Sequence, residues 1–92
     1  MRTIEKFIII SFESTHMAIK SEKLLLKNNH HAKIIPVPRE ITASCGLALR
    51  VKVDDYEVSK NILEENQVKI SGFYLMKREG LKKEVLDISD NL

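Results

Sequence analysis

Apolar and polar positions alternate strictly in "LALRVKV", residues 47–53: Leu47, Leu49, Val51 and Val53 point one way, Ala48, Arg50 and Lys52 the other. A period of two predicts a strand with one buried and one polar face. "KFIIISFE" (6–13) is apolar on both of its alternating faces, the pattern of a strand inside a sheet. "STHMAIKSEKLLLKNN" (14–29) changes period. Met17, Ala18, Ser21, Leu24 and Leu25 share one side at helical spacing, and Ser14 or Thr15 can cap the first turn. Ile19 and Leu26, seven apart, fall roughly opposite; they read as an exposed pair at a weak contact or, the favoured reading, as the helix's ordinary apolar scatter.

"HAKIIPVPRE" (31–40) predicts a strand, but Pro36 and Pro38 have no N–H to donate, so it lies at an edge or stops near Pro36. "DDYEVSKNILEENQ" (54–67) predicts a second helix, with Asp54 and Glu57 at capping-box spacing and Val58, Ile62 and Asn66 along one side. "VKISGFYLMK" (68–77) predicts the last strand, bulged at Gly72, where the apolar parity changes.

The order strand, helix, strand, strand, helix, strand predicts an α+β fold of the ferredoxin-like βαββαβ type. Its four-stranded antiparallel sheet carries two helices on one face, with the first and third strands central and the second and fourth at the edges. One domain is expected over residues 4–78. Residues 79–92 read as a charged tail, with a short helix around Leu81 to Ile88 as its candidate structure.

Composition narrows the class more than the function. A chain of 92 residues has room for one core. Fifteen Lys and Arg stand against thirteen Asp and Glu, a mixed surface that gives no reason to invoke nucleic acid. The expected central strand Leu47–Val53 shows Ala48, Arg50 and Lys52 where an RNA-reading sheet would show stacking aromatics. No stretch approaches the ~20 apolar residues of a membrane span. "MRTIEKFIII" has neither the apolar length nor the cleavage site of a signal peptide. A cytoplasmic protein with a reduced thiol is the expectation.

That thiol, Cys45, is the chain's single cysteine, so no intramolecular disulfide is possible. If the first and third strands are antiparallel neighbours, "FEST" (12–15) meets "ASCG" (43–46) at one end of the sheet. Cys45 then lies beside the start of the first helix, whose free N–H groups and dipole favour a thiolate. Arg39 and Arg50 are candidates to add positive charge, although alternation sends Arg50 to the outer face. His16 falls in the first helical turn, Thr42 and Ser44 supply hydroxyls, and Gly46 leaves room for an incoming group. The other reading is a small buried filler, the commonest use of a free cysteine, with Gly46 at a turn and both arginines solvated. A reactive carrier thiol requires Cys45 to be exposed. A structural thiol, in a homodimeric regulatory or adaptor module pairing through its open sheet face, requires it buried.

"FIIISFESTHMAIKSEKLL" followed by "KIIPVPREITASCGLALRV" is similar to the selenium/sulfur carrier-like family, short proteins also described as a domain of unknown function. The similarity runs from about Lys6 to about Met76. It is most specific in Pro36 to Ile41 leading into Ser44 to Gly46, and next in Phe12 to Thr15. The resemblance implies that Cys45 holds sulfur or selenium as a persulfide-type species. It would take the atom from a donor such as a cysteine desulfurase and pass it to an acceptor protein. No cofactor is implied, and the chain acts as a carrier rather than a stand-alone enzyme. The Cys-Pro-x-Pro motif of other small sulfur-relay proteins is missing, since Pro36 and Pro38 precede the cysteine.

Two further groupings weigh less. His30 and His31 are adjacent, so their side chains diverge, and a soft-metal site needs three or four converging ligands. No metal is expected. Glu13 and Glu40 could approach Cys45 from two loops, but surface or capping roles suit them better.

Overall fold

The computed structural model describes residues 4–41 and 45–89. β1 (Ile4–Phe12) runs through a five-stranded antiparallel sheet ordered β2-β3-β1-β4-β5. Its neighbours are β3 (Leu47–Lys52) and β4 (Ile70–Glu79). Ile8, Ile9, Ile10 and Phe12 are all buried, as a strand apolar on both faces requires. β2 (Ala32–Pro36) ends at Pro36 on the sheet edge, with β3 as its partner.

α1 (Thr15–Lys27) and α2 (Tyr56–Glu65) cover one face. There Ile8, Ile10, Phe12, Leu49, Val51 and Phe73 of the sheet meet Ala18 and Leu25 of α1 and Leu63 of α2. Ser14 caps α1, its hydroxyl accepting the Met17 N–H at 3.3 Å. Both helices end in the same way. Asn29 and Gln67 take positive φ, 64° and 58°, and the following N–H reaches back five residues: His30 to Leu25 O, Val68 to Leu63 O. These are Schellman closures, and Val68 and Leu63 supply the apolar contact that accompanies the second.

The ferredoxin-like βαββαβ fold with four strands is not what the chain forms; the class remains α+β, but the sheet has a fifth strand. β5 (Lys82–Asp87) pairs antiparallel with β4, so β4 is internal and β5 is the edge. The segment expected to be helical is therefore a strand, and the sheet extends beyond residue 78. Two residues, Gly80 and Leu81, join β4 to β5. Gly80 has φ 60° while Leu81 does not enter the left-handed region, the pattern of a type II′ hairpin. Leu81, Val85 and Ile88 mimic helical spacing, but the edge of a four-stranded sheet is available for pairing, and an isolated short helix has no such support. Most of β5 is exposed and charged, which suits an edge.

Two other expectations shift. Val53–Asp55 forms a 3₁₀ turn before α2, so Asp54 makes no capping box and α2 starts without a side-chain cap. The buried side of α2 is Ser59 and Leu63, with Tyr56 and Ile62 half-buried, and Val58 is exposed. The Tyr56 ring meets Phe73 edge-on at 5.3 Å, which fixes that rotation. The bulge in β4 falls one residue before Gly72: Ser11 faces Gly72 while Phe12 faces Ile70, leaving Ser71 extra.

Candidate functional site

Cys45 lies just before β3, on the parity of Leu47 and Leu49, and is 5% exposed. The antiparallel pairing of β1 and β3 brings it to the first residue of α1. Its Sγ is 3.5 Å from Thr15 Oγ1. The Leu47 N–H donates to Sγ at 3.3 Å, and the thiol can donate to Leu47 O at 3.4 Å. The sulfur thus has two groups able to donate to it, the Leu47 amide and the Thr15 hydroxyl, and one carbonyl to accept its proton. The exposed position expected of a reactive loop thiol is not observed: the resting sulfur is buried at the helix start.

The residues expected around the thiol disperse. Ser14 is committed to capping α1. His16 is exposed and faces outward with Lys20 and Lys23. Arg50 is on the opposite sheet face, its guanidinium 4.6 Å over the Phe7 ring, so it serves a cation–π contact and not the sulfur. Arg39 is exposed, and no contact among the described residues joins it to Cys45. Thr42 and Ser44 lie outside the described residues. Gly46 is exposed, and among the described residues a Cβ placed there would meet nothing within 4 Å, chain neighbours aside.

Sequence reading missed the connection after β2. The Val37 N–H donates to Gly46 O at 3.0 Å, extending the β2–β3 ladder past Pro36. Ile41 then folds onto the face without helices, buried against Ile9 and Ala48. Glu40 pairs with Lys83 of β5 at 3.4 Å, far from any role at sulfur. Its carboxyl is held below its ordinary value by a backbone hydrogen bond of its own, opposed by desolvation and assisted by Lys83 and the charge of Arg39. His30 faces Asp55 at 3.7 Å, while His31 lines a hollow with Lys33 and Arg50. Among the described residues no three His, Cys, Asp or Glu side chains converge as a metal site. Nor is any described helix long and apolar enough to cross a membrane.

Comparison with known proteins places the sequence in a family. The chain is 31% identical over 81 residues to an uncharacterized protein of Methanocaldococcus jannaschii, MJ0011, covering 88% of this chain and 41% of that protein. It therefore spans about two-fifths of the length of that relative. No solved structure matches it. The family model described as "Putative Se/S carrier protein-like" matches residues 7–75, from the inner part of β1 through Cys45 to the middle of β4. The chain belongs to that selenium/sulfur carrier-like family.

Proposed function

We propose that this protein carries sulfur or selenium on Cys45 in a reduced, cytoplasmic setting. The observation that carries the reading is that the family match includes the chain's single cysteine, with its sulfur at a helix start and within reach of two donors. In the loading step the Cys45 thiolate attacks the terminal sulfur of a donor persulfide, such as one on a cysteine desulfurase. One S–S bond forms as the donor's S–S bond breaks, the donor cysteine leaves as thiolate, and no net electrons are exchanged. Unloading is the same displacement by an acceptor nucleophile, which returns Cys45 to the thiolate. The Leu47 N–H and Thr15 O–H can donate to an anionic sulfur at each stage. Because the resting sulfur is buried, transfer requires Cys45 to leave these contacts.

The burial itself favours a second reading, in which Cys45 is a small packing residue of a binding module. Incubation with a desulfurase and cysteine, followed by intact-mass measurement, separates the two. The carrier gains 32 Da, removable by reductant, and Cys45→Ser gains nothing while staying folded. A wild-type protein that never gains the mass, with Cys45→Ala costing about 1 kcal/mol or more, leaves the structural reading standing.

A further inference from the structure

The outer side of α1 joins two features that neither the core nor the thiol uses. His16, Lys20, Lys23 and Lys27 recur four, three and four residues apart, so they form one ridge along the helix. Ile19 and Leu26 flank it and remain 39% and 50% exposed. A shallow hollow of about 300 Å³ follows the ridge, lined by the four basic residues with Ile19 and Leu24. Cations three and four apart on a helix repel one another. Among the described residues, none of the ion pairs engages Lys20, Lys23 or Lys27. The single carboxylate of α1, Glu22, is half-buried and sits about 60° around the helix from Ile19, on the core side.

A cationic ridge with an apolar flank is complementary to a surface that is acidic and apolar together. We propose that the outer side of α1 docks an acidic amphipathic segment of a partner protein, with carboxylates against Lys20, Lys23 and Lys27 and apolar side chains against Ile19 and Leu24. The ridge begins at His16, one residue from Thr15, whose hydroxyl contacts the Cys45 sulfur. If the carrier reading holds, the docked partner is the one exchanging sulfur at that end of the helix; the docking surface itself does not depend on it.

The test uses a fluorescent synthetic peptide of leucines at helical spacing with glutamates between them, and a control peptide with serine for leucine. The expected result is saturable binding of the first peptide, weakened roughly tenfold by K20E/K23E and less than about twofold by K33E/K52E, an equal charge change on the far sheet face. Ile19→Ser should also weaken binding, with circular dichroism unchanged in every variant. Three results overturn the proposal: equal weakening by both charge-reversed pairs, equal affinity for the serine peptide, or retention by phosphatidylserine vesicles with none by the peptide. Cys45→Ser, which ends sulfur loading, should bind the peptide as wild type does, so failure of the carrier reading and failure of this one are read separately.

Discussion

The burial of Cys45 makes a quantitative demand on its reactivity. A reagent can reach Sγ only when the side chain leaves its contacts with Thr15 Oγ1, Leu47 N–H and Leu47 O. At about 0.5–1 kcal/mol net for each, releasing all three costs about 1.5–3 kcal/mol. One decade per 1.4 kcal/mol converts this to native alkylation slowed roughly 10- to 150-fold relative to the unfolded chain. Global unfolding of a domain this size costs about 5 kcal/mol or more and would slow labelling several-thousand-fold. Iodoacetamide labelling in buffer and in urea, at a pH below the ordinary thiol value of about 8.5 and followed by intact mass, measures the ratio. A ratio near one would refute the geometry, because the thiol would then be open. A several-thousand-fold ratio that follows the denaturant dependence of global unfolding would refute local release and, with it, the carrier reading.

Three further outcomes follow from packing and charge. Leu63→Ala, at a fully buried site facing the sheet, should lower unfolding free energy by about 2–5 kcal/mol in urea titration. Gln67→Gly, at a residue held at φ 58°, should stabilise by about 0.5–1 kcal/mol and raise Tm by several degrees, since the left-handed penalty exceeds the entropy that glycine adds. An unchanged or lower Tm would contradict this. Glu40 and Asp87 both have carboxyls lowered from their ordinary 4.5 and 3.8, Asp87 chiefly by the Ser89 side-chain hydrogen bond and then by the Ser89 N–H. Lowered acids contribute stability that is present above those values and lost as pH falls through the lower folded-state ones. Thermal unfolding from pH 6 to pH 2 should therefore show a smaller acid loss in Glu40→Gln and Asp87→Asn than in wild type.

Much of the fold was legible from local pattern. Period two in Leu47–Val51, the doubly apolar centre of β1 and the helical stripe Met17–Leu25 each follow from local pattern, although Val53 leaves the strand and is exposed, and Ala48 is buried on the face expected to be polar. The prolines marked the β2 edge, and the parity change in β4 located its bulge to within a residue. Even the approach of Cys45 to the start of α1 followed from strand adjacency. The rest depended on partners that local pattern does not encode. Leu81, Val85 and Ile88 fit a helix as well as a hairpin arm, and the free edge of β4 decided for β5. The rotation of α2 was set by Tyr56 against Phe73, not by Val58 and Asn66.

For the site, the sequence by itself determined which atom can do sulfur chemistry, since only one thiol exists, and which end of the sheet holds it. Tertiary structure decided its surroundings. Arg50 was drawn to the Phe7 ring on the opposite face, and Glu40 to Lys83 on a strand that local pattern did not predict. The groups found at sulfur include a backbone amide, Leu47 N–H, which every residue but proline carries and which therefore leaves no mark in a sequence. Burial is likewise a property of what packs over a residue, and that is fixed only when the whole chain has folded.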